Sequence, residues 1–282
     1  MTSNTSISID KLARLIGRPD SPVLIDICTE ADFACDPRLV PGAIRRAHHD
    51  VAQWGQRYAG CDVVVICQKG LKLSEGVAAW LRHLGCDARN LEGGAQGWAR
   101  AGLPMLVTAR LPAAGADGAT VWVTRSRPKI DRIACPWLIR RFVDPAAVFL
   151  FVTPSEVRGV AERFGATPFD LDGEDQFWSH RGELCTFDVM IAEFGLSSEP
   201  LQRLARIVRG ADTARLDLEP EAAGLLAASL GLSRMYSDDL RQLEAGMVLY
   251  DALYRWCSDA TTETHNWPSP KAGAAHQAGR SA

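Results

Sequence analysis

Residues 62–67 read DVVVIC and are followed by QKGLKL and then by SEGVAAWLRHLG. A run this short and this apolar fits a strand covered on both faces. The glycine-containing loop leads straight into a helical pattern, with Val77, Trp80, Leu81 and Leu84 on one predicted face. Ser74 is the expected N-cap, and Gly85 the expected stop. A second buried strand is expected at PVLIDIC (22–28), a third at ARNLEGG, and a short helix at AQGWARAG. Strands alternating with helices predict an α/β fold, a parallel sheet with helices on both faces.

The pattern changes after about residue 107. LPAAGADGAT is small and unpatterned and reads as linker, giving boundaries of 1–107, a linker at 108–119, a second domain at 120–257 and a disordered tail at 258–282. The second domain is expected to be helix-dominated α+β. A strand is expected at AVFLFV, a helix at CPWLIRRFV with Pro136 in its first turn, and long helices at PLQRLARIVRG, PEAAGLLAASLG and DDLRQLEAGMVLYDALYRWC. The length of 282 residues suits two domains, each with a buried core. The net charge of -3 gives no electrostatic case for nucleic acid or an anionic membrane. No leader pattern opens MTSNTSISIDKLARL, so a cytoplasmic location is expected. The eight cysteines are scattered, without a Cys-x-x-Cys pair, which argues against a disulfide framework or a zinc ribbon.

Cys67 is the exception among them. Ligands of parallel α/β sheets bind beyond the carboxyl ends of the strands, and the following helix N-terminus offers free N–H groups and a positive dipole end. A thiolate held there is a nucleophile, or the carrier of a persulfide. Gln68, Lys69, Gly70, Leu71 and Lys72 form the expected substrate-binding loop, with Gly70 supplying the tight bend. LIDICTEADFACDPRLVPGAI, VVVICQKGLKLS and NLEGGAQGWARAGLP together resemble the rhodanese family of sulfurtransferases over residues about 9–106. The resemblance implies that Cys67 carries the sulfur, that Asp26 supports the site, and that a small sulfane-sulfur donor and a thiol acceptor are the partners. The chain departs from that family at Cys28, where many members have arginine, and in a loop with lysine instead of arginine. Lysine cannot make a two-pronged oxyanion contact, which puts thiosulfate as donor in question. The related phosphatases close a longer loop with arginine; Leu73 stands at that place.

WVTRSRPKIDRIACPWLIRRFVDP, HRGELCTFD, RIVRGAD and AGMVLYDALYRWC resemble the carboxy-terminal domain of the chromate-resistance protein ChrB family, over about 120–257. That resemblance implies a role in chromate resistance, as a regulator or as an accessory factor, with DNA binding left open for the regulator. Arg125, Arg127, Lys129 and Arg132 are the candidate oxyanion ligands, or alternatively a solvated basic face. Asp131, Cys135, His180, Glu183, Cys185, Asp188 and Asp212 are of metal-ligating type; Cys135, His180, Cys185 and Asp188 are the candidate set for a metal ion in this domain, the single cofactor the residues point to. The alternative is a core histidine bonded to an aspartate, with Cys185 buried. Chromate reduction by thiols lacks a flavin or nicotinamide motif to sustain it.

Overall fold

A computed structural model describes residues 5–115, 118–173 and 176–263. Its first part runs β1 (Ser6–Ile7), α1 (Ile9–Ala13), β2 (Val23–Asp26), α2 (Glu30–Cys35), β3 (Arg38–Leu39), β4 (Ala43–Arg45), α3 (Val51–Trp54), β5 (Asp62–Ile66), α4 (Lys72–His83), β6 (Asp87–Leu91), α5 (Gly94–Arg100) and β7 (Leu106–Val107). Five strands form one sheet in the order β1-β6-β5-β2-β4, with every pairing parallel. β5 is the central strand, buried on both faces, as its composition demands. Side chains alternate along it. Val64 and Ile66 pack with Leu24, Leu91 and Trp98, while Val63, Val65 and Cys67 pack with Val77, Ala78 and Leu81 of α4.

The buried stripe of α4 is Ser74, Val77, Ala78 and Leu81, rotated from the expected face; Trp80 is about half exposed. Ser74 is not the cap either. The helix begins two residues earlier, with Leu71 as N-cap, so Ser74 lies within the first turn and points inward.

The second part runs β8 (Val121–Arg125), α6 (Asp131–Leu138), β9 (Val148–Val152), α7 (Val157–Phe164), β10 (Thr167–Pro168), α8 (Thr186–Glu193), α9 (Glu199–Asp212), α10 (Ala222–Met235) and α11 (Asp239–Asp259). The strands form a small parallel sheet, β10-β8-β9, and the helices dominate. α6 starts earlier than expected, so Pro136 sits inside it. Proline has no N–H to close the helical ladder, and the chain widens into a π-turn at Ile139–Val143 directly afterwards. α11 continues past the expected tail boundary to Asp259; residues 264–282 of that tail, and 116–117 of the expected linker, lie outside the described residues.

The two parts share a core. One apolar cluster extends from Leu12, Ile16 and Leu106 to Trp122, Trp137, Phe142 and Tyr250. Gly42 N–H donates to the Phe142 carbonyl at 2.7 Å, and Val107 N–H to the Phe194 carbonyl at 3.0 Å. Gly17, at φ 82°, lies so close to Phe142 and Tyr254 that a Cβ there would strike both rings. Among the described residues no helix is long and apolar enough to cross a membrane.

Candidate functional site

Cys67 follows β5 immediately, at the carboxyl edge of the sheet. It shares the α4 face of that strand, which brings Sγ beneath the first turn of α4. Its thiol donates to Ser74 Oγ at 3.1 Å, and Ser74 Oγ donates to the Leu71 carbonyl at 3.0 Å. Cys67 is 5% exposed.

The loop from 67 to 72 is fastened through its carbonyls. Cys67 O accepts from Ala95 N–H and Gln68 O from Gln96 N–H, both at 3.0 Å, and Gly70 O accepts from Asn90 Nδ2 at 3.2 Å. In a trans peptide the next N–H points opposite to the carbonyl. The amides of Gln68, Lys69 and Leu71 therefore turn away from the segment 90–96. Two glycines permit this docking. Gly70 (φ 69°) and Gly94 (φ 58°) lie back to back, and a Cβ on Gly94 would collide with Cys67 O and Gly70 N. This is the physical reason for glycine at position 94. Leu71, Lys69 and Lys72 are exposed at the loop surface.

Beside the loop lies a cavity of 310 Å³ lined by Cys28, Cys35, Arg38, Gln68, Gln96 and Arg100, among others. Gln68, and not Cys67, lines it, so a donor in the cavity meets the loop one residue beyond the sulfur. Arg38 is held by Asp36 at 2.7 Å, whereas Arg100, at the exposed end of α5, has no ion-pair partner among the described residues. Asp26 is 2% exposed; it accepts from Cys28 N–H and from Arg45 Nη1, each at 3.1 Å. Burial raises its pKa despite these partners. The Cys28 thiol donates to Asp26 Oδ2 at 3.4 Å, and burial with that neighbouring carboxylate pushes it well above the ordinary thiol range. Such a thiol is a poor resolving nucleophile. The sequence named Ser74 only as a helix cap and did not single out Arg100. The signal for Ser74 was its spacing of three, four and seven from Val77, Ala78 and Leu81.

In the second part the basic candidates are drawn into internal contacts. Arg125 pairs with Asp172 at 2.8 Å and donates to the Asp170 carbonyl at 3.0 Å. Arg127 is a clamp: its guanidinium donates to the carbonyls of Tyr236 and Ser233, and its N–H to Asp239. Arg132 donates to the carbonyls of Arg125 and Ser126 and lies 3.3 Å from Asp170. Lys129 is exposed. Arg125 and Arg132 meet at Asp170 Oδ2, at 3.6 and 3.3 Å, so the three arginines are spent on internal partners.

The expected metal set separates. Cys135 is fully buried within α6. Cys185 is buried as the N-cap of α8, in a capping box with Asp188, and Asp188 pairs with Arg209 at 3.0 Å. Burial raises both thiols well above their ordinary range. Glu183 is exposed in the turn formed by Gly182. His180 instead faces carboxylates from three other segments. Its Nε2 is 3.5 Å from Asp131 Oδ2, 3.5 Å from Asp170 Oδ1 and 3.3 Å from Asp212 Oδ2. The carboxylates of Asp131, Asp170 and Asp212 push its pKa up to about 12, while burial raises Asp131 to about 7.

Comparison with known proteins agrees with this division. Residues 8–101 match the family described as rhodanese-like domain, and residues 122–257 match the family described as ChrB, C-terminal domain. Protein ChrB of Cupriavidus metallidurans is 38% identical over 135 residues, which is 47% of this chain and 39% of that protein. The matched region therefore spans well under half of the curated relative. A thiosulfate sulfurtransferase from Pseudomonas aeruginosa is 28% identical, with a TM-score of 0.30, covering 36% of this chain and 19% of that one. A rhodanese-related protein from Thermoplasma volcanium is 20% identical, with a TM-score of 0.32, covering 36% and 96%. The chain thus joins a rhodanese-like domain to a ChrB C-terminal domain.

Proposed function

We propose that the rhodanese-like domain is a sulfurtransferase in which Cys67 carries sulfane sulfur as a persulfide. The observation that carries this reading is the anchoring of the loop: the carbonyls of residues 67, 68 and 70 are tied to 90–96, and the intervening amides turn the other way. Amides aimed at a sulfur anion stabilise it without reorganisation. The resting thiol gives its hydrogen bond to Ser74. Once the proton is lost, the Ser74 hydroxyl can turn from the Leu71 carbonyl and donate to the thiolate.

The thiolate attacks the sulfane sulfur of the donor. With thiosulfate, the S–S bond breaks and sulfite leaves with the electron pair. A thiolate or cyanide then attacks the terminal sulfur of the persulfide, takes it, and regenerates the Cys67 thiolate. The two exposed lysines and Arg100 supply the positive charge that an anionic donor requires, in place of the arginine fork of related loops. The test is thiocyanate production from cyanide with thiosulfate, and separately with glutathione persulfide. The expected result is turnover with at least one donor and none in Cys67→Ser. Turnover in that variant, or none with either donor in the wild type, overturns the reading.

The ChrB-type domain supports a second reading, a chromate-responsive regulator whose first domain binds anions without turnover. The internal pairing of Arg125, Arg127 and Arg132 weighs against their acting as the sensor. Chromate titration of the full chain, followed by calorimetry, tests this reading; an absence of binding removes it.

A further inference from the structure

The structure assigns a divalent-cation site to the ChrB-type domain: Asp131, Asp170 and His180 Nε2 bind one first-row metal ion, with Asp212 beside the histidine. This inference does not rest on the sulfurtransferase reading.

The distances carry it first. A charged N–H to carboxylate bond is about 2.7–2.9 Å long, and one N–H serves one acceptor well. His180 Nε2 instead stands 3.3–3.5 Å from oxygens of three carboxylates at once. That is the spacing of ligands around a shared centre. The ligand atoms of Asp131, Asp170 and His180 all lie within 4.8 Å of one another, near the spread of about 4.4 Å that ligands at about 2.0–2.2 Å from one ion allow.

Unmet demand is the second, independent observation. Asp131 is 0% exposed, and its Oδ1 has no hydrogen-bond partner. Its other oxygen accepts from Thr186 N–H at 2.6 Å, while the Thr186 hydroxyl donates to Asp170 Oδ1 at 2.9 Å. One threonine at the start of α8 thus orients two of the carboxylates, as partners behind metal ligands do. Leaving that buried oxygen unpaired costs free energy that a cation held by both oxygens of Asp131 would remove.

Backbone strain brackets the same place. Ile130, just before Asp131, has φ 37°, and Asp170 has φ 51°. A β-branched residue there is a genuine outlier, and such conformations persist where the surroundings over-determine them.

Charge sets the ion class. Once an ion displaces the imidazole proton, the three nearby carboxylates carry three negative charges; a divalent ion and the adjacent Arg132 balance them. One nitrogen and two carboxylates, with no thiolate, suit Mn²⁺, Fe²⁺ or Zn²⁺ and disfavour Cu⁺. The site is open on one side. His180 is 41% exposed, and a cavity of 330 Å³ lined by Arg125, Asp172, Ser179 and His180 leads to it. An ion can enter from there.

The test uses the full chain, stripped with a chelator and dialysed against Mn²⁺ or, separately, Zn²⁺. Metal per chain is counted, and thermal unfolding is followed with and without the ion. One equivalent of either ion is expected, together with a rise in Tm. His180→Ala, at an exposed position, and Asp170→Asn, which keeps the side-chain shape, are expected to retain the helical circular dichroism and to lose both the ion and the Tm rise. Cys67→Ser should keep both. Failure of the wild type to hold either ion stoichiometrically overturns the assignment. So does an equivalent that survives both ligand substitutions, or one that Cys67→Ser removes.

Discussion

The two sites of this chain are built in opposite ways. The Cys67 loop is one contiguous stretch held through its main chain: carbonyls fastened to 90–96, and glycines allowing the close approach. The His180 cluster draws Asp131, Asp170, His180 and Asp212 from four separate segments, and its chemistry lies in side chains. A main-chain site depends on a few small residues whose replacement is a steric event. A side-chain site depends on the packing of whole elements, and its replacement is an electrostatic event.

That contrast makes Gly94→Ala the substitution of largest expected effect in the first region. The new Cβ meets Cys67 O and Gly70 N at a backbone conformation that alanine adopts poorly. The loop must shift, at a cost of about 1–3 kcal/mol in stability. Denaturant unfolding should register that loss, and sulfur transfer should fall more than tenfold, since a displacement of about 1 Å at a reacting group is costly. An unchanged rate would mean that the loop amides do not position the sulfur.

A smaller effect is expected from Arg127→Ala in the second region. If this arginine is a clamp between β8 and the α10–α11 corner, its loss removes charge-assisted bonds and costs about 1–2 kcal/mol. Unchanged stability with weakened chromate binding would restore the anion-binding role that the sequence pattern suggested.

The smallest concerns Asp26. Burial raises its folded pKa above the ordinary 3.8, so the folded state holds its proton more firmly than the unfolded state does. Its contribution is most favourable below that value and is lost as pH rises through the raised folded pKa. Relative to Asp26→Asn, the wild type should therefore lose stability across that interval. Urea unfolding of both proteins between pH 4 and 7 checks the direction; a wild type that gains on the variant as pH rises would contradict it.

The contrast also explains what could be read in advance. The parallel sheet, the place of Cys67 and the glycine pair were legible, because period, strand end and turn chemistry are local. The face of α4 was not. Trp80 is the largest apolar side chain on that helix, yet the packing beneath β5 selects the stripe through Ser74 and leaves Trp80 half exposed. In the second domain the residue types were legible, and Asp131, His180 and Asp212 were recognisable as ligand types. Their grouping was not, since Asp131 and Asp212 are brought together only by the packing of α6, α8 and α9. The cysteines drew attention by type, but Cys135 and Cys185 are spent as small buried groups. The shared core was hidden for the same reason: Phe142 and Tyr254 meet Gly17 across more than a hundred positions.

The claim on which the functional account turns is that Cys67 holds an additional sulfur atom beneath the anchored loop. Intact mass spectrometry after exposure to a sulfane donor and removal of the excess, followed by peptide mapping, measures it directly. The account predicts one extra sulfur on the peptide containing Cys67, discharged by cyanide and absent from Cys67→Ser. Sulfur recovered on Cys35 or another cysteine, with Cys67 unmodified, would contradict it.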